Sequence, residues 1–238
     1  GNYELVKSSN GTLTVTAAPA DQNKITLKSG ETTYIGLNQT LANGATGGAD
    51  GTVYLYATSK DSNEWSEELP KFTDAGTYTI WAKGVNKNYE DSFTSAEFII
   101  KPAKLIAAAD SRTEPYTGEA ITAGGTLNGL VNGETATVTA TGSQTEVGFS
   151  ENKAVISWDG TAKESNYVVE YINGRLEVTP ADAAQLGLEF AGKEVVYNAA
   201  NQNLNPAAVT VVKGTKITYS TDKKTWTEEM PAFYDAGK

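Results

Sequence analysis

Apolar and polar residues alternate in short runs along this chain, and no long segment keeps an apolar period of 3.6 residues. Thr52-Val53-Tyr54-Leu55-Tyr56-Ala57, Thr77-Tyr78-Thr79-Ile80-Trp81-Ala82 and Gly174-Arg175-Leu176-Glu177-Val178-Thr179 each put alternate side chains on one face, the spacing of a half-buried strand. Gly and Asn clusters bound these runs as turns bound strands. The pattern predicts an all-β protein. Strands are expected at 95–101 and 174–179, each ending just before a proline, Pro102 and Pro180, because proline cannot extend a ladder.

The runs recur. WSEELPKFTDAG from Trp65 to Gly76 returns as WTEEMPAFYDAG from Trp226 to Gly237. Only Lys238 follows the second copy, so the chain is expected to be cut from a longer array. Asn166-Tyr167 through Pro180-Ala181-Asp182 matches the opening segment from Asn2-Tyr3 to Pro19-Ala20-Asp21, and Asn88-Tyr89-Glu90 to Pro102-Ala103 is a looser relative. An aromatic heads each module at Tyr34, Tyr116 and Tyr197. Two module types therefore alternate. Residues 1–19 are expected to be the terminal strand of a preceding repeat, 20–102 an Ig-like type A module, 103–180 a type B module, and 181–238 a shortened type A module. Small Ig-like β-sandwiches are expected throughout, with a β-grasp-like fold as the alternative for the middle module. The short proline junctions predict an elongated particle.

Composition narrows the function classes. The 238 residues include no cysteine and no histidine, which removes disulfides and thiolate or imidazole metal sites. The formal charge of −10 argues against nucleic acid, whose phosphates demand Lys and Arg; it suits a solvated stalk. No run is long and apolar enough to form a membrane-spanning helix.

Candidate chemistry is sparse. Asp74, Gly76 and Tyr78 have the spacing of a structural tyrosine corner, in which the phenol bonds back to nearby backbone of an immunoglobulin-type sandwich. Glu67-Glu68 and Glu228-Glu229, each near a tryptophan, imitate a glycosidase carboxylate pair. Adjacent residues of an extended chain point to opposite faces, however, and do not converge on one bond. Trp65 and Trp226 are the candidate glycan contacts, against the plainer reading as packing residues of a hairpin. Trp81 and Trp158 lie in alternating runs and are expected in the core. Asp50-Gly51, Asp61-Ser62-Asn63 and Asp159-Gly160 are isolated turn signatures rather than a calcium loop, which needs six or more converging oxygens. A Lys–Asn isopeptide crosslink needs a carboxylate beside both partners, and the sequence does not nominate such a trio. The Asn10 and Asn38 N-x-T matches carry no weight. No catalytic residue, cofactor or metal is assigned.

Tyr116-Thr117-Gly118-Glu119, Leu130-Val131-Asn132-Gly133-Glu134, 141–148 and the tail from Asn166-Tyr167 to Pro180 resemble the YDG/MBG-type repeats of very large bacterial surface proteins. Trp65 to Pro70 and Phe72 to Tyr78 resemble the Ig-like repeats that accompany them. Asn198-Ala199 in the last module departs from the acidic-or-Thr plus Gly pattern. The resemblance implies an extracellular, cell-wall-attached adhesin or stalk with no shared catalytic residues. Its partners would be host glycan or protein met through the parent adhesin. An intermolecular contact is also expected at the shortened C-terminal repeat.

Overall fold

The computed structural model describes residues 10–204, 208–210 and 214–237. Its contacts divide the chain into two units. One comprises Gly1–Leu105, Gly129–Ala136 and Trp158–Val169, and the other Ile106–Asn128, Thr137–Ser157 and Glu170–Lys238. The described residues are almost entirely strands, turns and loops, with three short 3-10 segments. The protein is all-β.

Residues 20–102, the expected first module, hold β1 (Ile25–Thr26), β2 (Gly30–Thr33), β3 (Thr46–Gly47), β4 (Val53–Ala57), β5 (Gly76–Val85) and β6 (Ser92–Lys101). The two units cut across the expected module boundaries, since the first also takes in Gly129–Ala136 and Trp158–Val169. Four of these six strands form a sheet in the order β2-β6-β5-β4. β5 and β6 are antiparallel from Gly76↔Ile100 to Gly84↔Ser92, and β4 adds antiparallel to β5. β2 runs parallel to β6, and the Tyr34 N–H closes that ladder on the Lys101 carbonyl at 2.8 Å. Outside this sheet, β1 pairs with β3 and Gln39 bridges Phe72. This is an Ig-like arrangement.

Alternation explains the core. Ile80 and Ala82 of β5 and Ala96, Phe98 and Ile100 of β6 are buried together with Ile25, Leu41 and Tyr56. Trp81 falls on the opposite face of β5, half-buried, with Lys60 5.9 Å from its ring centroid. Trp158 is likewise half-buried and stacks on Tyr167. Neither is a core residue as expected, because a period of two names a face without saying which face is inner. Asn23, fully buried, accepts from the Ala49 N–H at 2.9 Å and the Thr52 hydroxyl at 2.7 Å, and donates to the Gly84 carbonyl at 3.4 Å. Its burial is thereby compensated.

Pro102 alone separates β6 from β7 (Ala103–Ala109). β8 (Arg112–Pro115), β9 (Gly125–Asn128), β10 (Thr137–Ala140), β11 (Gly148–Asn152), β12 (Ala154–Ser157), β13 (Tyr167–Ile172) and β14 (Gly174–Thr179) follow. They make two three-stranded sheets, β13-β7-β9 and β11-β14-β8, and a β10-β12 ladder. β8 is parallel to β14, and the Tyr116 N–H closes on the Thr179 carbonyl at 2.8 Å. The first and second modules thus share one closing device, with Tyr34 and Tyr116 in the same role. The β-grasp alternative fails here. Such a fold lays a helix across one mixed sheet, whereas the described residues of this module have two sheets and only the 3-10 turn Glu164–Asn166.

In the third module the described residues hold a 3-10 turn, Ala183–Leu186, and isolated bridges at Glu189↔Val209, Gln202↔Phe233 and Tyr219↔Thr227. At the other end, residues 10–17 carry no strand, and Ala18 makes a parallel bridge to Tyr89. The remainder of the expected N-terminal strand, residues 1–9, lies outside the described residues.

Candidate functional site

A polar constellation lies inside the first unit, which joins Gly129–Ala136 and Trp158–Val169 with Gly1–Leu105. Tyr34 and Tyr167 donate their hydroxyls to the two carboxylate oxygens of Glu134. Their rings meet edge to face at 5.7 Å, and Tyr167 also stacks on Trp158 at 6.0 Å. The Tyr167 hydroxyl in turn accepts from the Val131 N–H at 3.2 Å. Burial, reinforced by hydrogen bonding to Glu134, pushes both phenols from 10.0 up to about 12, because an ionised phenol would be desolvated beside a carboxylate.

A second group of bonds lies at the tyrosine corner. The Tyr78 hydroxyl donates to the Asp74 carbonyl at 2.7 Å, the backward bond that defines such a corner. Gly76 opens β5 just beyond, and Phe72 stacks on Tyr78 at 3.9 Å. The Asp74 carboxylate faces outward from the corner. It accepts from Asn166 Nδ2 at 3.0 Å and Lys163 Nζ at 2.8 Å. Asn166 is fully buried, and its Oδ1 takes the Ala75 N–H at 2.8 Å. The Asn166 hydrogen bond, and then Lys163, hold the Asp74 carboxyl below its ordinary 3.8. Beside this, Asn132 Nδ2 donates to the Gly36 carbonyl at 2.9 Å. Gly36 has a φ of +71°, and a Cβ there would sit 2.7 Å from the Asn132 Cβ. The left-handed backbone favours glycine here, and the close approach of Asn132 leaves no room for a Cβ.

Chemically this cluster is a clamp. Glu134 is engaged as acceptor by two phenols, and Asp74 by an amide and an ammonium. Lys163, Asp74 and Asn166 superficially form the trio of an isopeptide crosslink. Lys163, however, is largely exposed, and its hydrogen bond to Asp74 raises its pKa. That favours the ammonium over the neutral nucleophilic amine. Among the described residues, no group of three or more His, Cys, Asp or Glu side chains is placed to hold a metal.

The candidate glycan contacts differ from each other. Trp65 is half-buried: its Nε1 donates to the Ser62 carbonyl at 2.9 Å, its edge meets Phe93 at 5.8 Å, and Lys83 lies 5.9 Å from its ring centroid. The ring is tied into a surface aromatic cluster. Trp226 is 58% exposed and lines an apolar groove of the third module. The paired glutamates are exposed in both copies. Glu68 meets Lys71 at 3.8 Å and Glu228 pairs with Lys216, as solvated surface charges do.

Sequence reasoning singled out Asp74, Gly76 and Tyr78 but missed Lys163 and Asn166 as the partners of Asp74, and Glu134 as the partner of Tyr34 and Tyr167. The recurring Asn-Tyr pair at 166–167 and the Asn-Gly-Glu at 132–134 were visible as repeat landmarks. Their partners lie about 100 positions away, at distances only folding sets.

No family model and no curated protein matches the chain. Among solved structures, it is similar to the N-terminal eight Ig domains of Down Syndrome Cell Adhesion Molecule isoform 1.30.30. That match has 12% identity over 67% of this chain and 23% of the other, with a TM-score of 0.29. It is also similar to the fibronectin(III)-like modules of Clostridium thermocellum CbhA, at 12% identity over 72% of this chain and all of the other, with a TM-score of 0.24.

Proposed function

We propose that this chain is a non-enzymatic segment of tandem β modules, acting as a structural and interaction shaft in a bacterial surface adhesin outside the cell. The observation that carries this reading is the saturated clamp in the first unit. Asn132, Glu134, Lys163, Asn166 and Tyr167 hold Tyr34, Gly36, Asp74 and Ala75. These bonds stiffen the joint between a type A and a type B module, and a shaft works through stiffness and reach. The resemblance to YDG/MBG-type and Ig-like repeats supports the surface location and wall attachment, and the charge of −10 suits a solvated stalk. The mechanism is mechanical: modules in series hold a binding tip away from the cell.

Small-angle scattering of the purified chain tests this. An extended profile is expected, and the double variant Asn132→Ala/Asn166→Ala should broaden it by loosening the joint. A compact cluster of modules, or a profile indifferent to that variant, would refute the shaft reading. The second reading, glycan or mucin contact, rests on the exposure of Trp226. It requires oligosaccharide binding that Trp226→Ala abolishes.

A further inference from the structure

Each of the first two modules ends on a strand that lies parallel to one near its start. β2 pairs with β6 from Gly30↔Phe98 to Thr33↔Lys101, and β8 with β14 from Arg112↔Leu176 to Pro115↔Thr179. The other neighbours of these closing strands, β5 and β11, are antiparallel to them. Parallel pairing sets how tension acts. A pull on the two ends of the chain draws β2 toward the start and β6 toward the end, so the two strands slide along each other. Sliding loads every rung of the ladder at once, whereas strands drawn apart from one end lose their rungs one at a time.

In the first module, sliding would also break bonds beyond the ladder. Tyr34 follows β2 directly. Its N–H closes the ladder on the Lys101 carbonyl at 2.8 Å, and its hydroxyl is held by Glu134. Two residues on, the Gly36 carbonyl accepts from Asn132 Nδ2 at 2.9 Å. Glu134 is fixed in turn by the Tyr167 hydroxyl and by its own N–H on the Val131 carbonyl at 2.9 Å. Residues 131–134 follow β6 in the chain and so stand on its side of the load. Drawing β2 back past β6 therefore pulls Tyr34 off both Lys101 and Glu134, and Gly36 off Asn132.

We propose that the parallel β2–β6 ladder is the force-bearing element of the first module, and that Tyr34 couples it to Glu134 so that both resist tension together, a role that rests on the shaft reading. A bond that must break in the same step as the ladder raises the barrier to forced unfolding. Forced unfolding follows that barrier rather than the equilibrium stability. Tyr34 is 3% exposed, so water is kept from replacing the Glu134 bond as it is strained. The Lys101–Glu31 pair also crosses the ladder, at 2.7 Å, but both side chains are largely exposed and such a pair adds little.

The chain has no cysteine, so one added at each end gives unique attachment points for optical tweezers on the full chain. A second version carries Leu37→Cys in place of the N-terminal cysteine. Leu37 is 53% exposed just beyond β2, and from there the same ladder is drawn apart instead of slid. The first module should unfold at higher force end to end than from position 37. Tyr34→Phe keeps the backbone ladder and should lower the end-to-end force by more than the force from position 37. Equal wild-type forces in the two directions would overturn the load-bearing ladder. An equal drop in both directions, or no drop, would overturn the coupling through Tyr34, since a bond that merely stabilises the fold has no preferred direction. A compact scattering profile would refute the shaft and leave these force comparisons standing, so the two readings fail separately.

Discussion

Asn166 and Asp74, 92 positions apart in sequence, are joined by a 3.0 Å hydrogen bond from amide to carboxylate. The same amide accepts the Ala75 N–H through its oxygen, so one fully buried side chain fastens both residues at the turn into β5. The tyrosine corner therefore has two sides: Tyr78 holds the Asp74 carbonyl from within the module, and Asn166 holds the Asp74 carboxylate and the Ala75 N–H.

Replacing Asn166 by Ala leaves the Ala75 N–H without this acceptor and removes a donor from Asp74. A buried group stripped of its partner costs about 1–3 kcal/mol, and a loss of that order is expected in urea unfolding of the first unit. Asn166→Asp should be worse than Asn166→Ala, because it sets a second carboxylate against Asp74. Equal stability of wild type and Asn166→Ala would show that the bond contributes nothing net.

Gly36→Ala introduces a Cβ 2.7 Å from the Asn132 Cβ at a φ of +71°. The left-handed conformation alone costs a non-glycine residue roughly 1–2 kcal/mol. Ala199 heads the third module with a φ of +57°, so the turn itself tolerates alanine there. The larger effect at Gly36 should then come from the lost approach of Asn132, and adding Asn132→Gly should recover part of it. If the double variant is no more stable than Gly36→Ala alone, contact with Asn132 is not the cause.

Tyr78→Phe removes the corner bond while keeping the stack on Phe72. A loss of about 1 kcal/mol is expected in chemical denaturation, with slower exchange retained across the β5–β6 ladder, since the strand pairing is untouched. A variant as stable as wild type would reduce the corner to decoration.

Stability should fall at both ends of the pH scale for different reasons. Tyr34 and Tyr167 titrate at about 12 in the folded chain against 10.0 ordinarily. Their contribution is therefore complete below pH 10 and is lost as pH rises toward 12. Asp74 is held below its ordinary 3.8, so its contribution is present above that value and disappears as pH falls through the lowered one. Unfolding midpoints measured across pH should show a plateau between these windows. Glu134→Gln should shrink the alkaline decline and Asn166→Ala the acid one, and unchanged profiles in both would refute the assignments.

No turnover is expected from the paired glutamates. Wild-type protein incubated with a panel of glycans should release no product. Activity that disappeared in Glu68→Gln or Glu229→Gln would contradict the non-enzymatic reading.

The strands and the repeats were legible in the sequence because both are local. A period of two within six residues places alternate side chains on one face, and turn residues delimit each run. Closing strands expected at 95–101 and 174–179 are found as Ser92–Lys101 and Gly174–Thr179. Asp74-Ala75-Gly76-Thr77-Tyr78 was equally readable, since the bond from Tyr78 to Asp74 spans four residues. What lies opposite a face is a different matter. Alternation could not say that Trp81 points outward toward Lys60 while Ile80 fills the core. Nor could it say that Glu134 takes hydrogen bonds from Tyr34, 100 positions away, and Tyr167, 33 away. Those pairings depend on how strands cross between sheets, and hydrogen bonds, unlike the period of a strand, act only at distances that the tertiary structure decides.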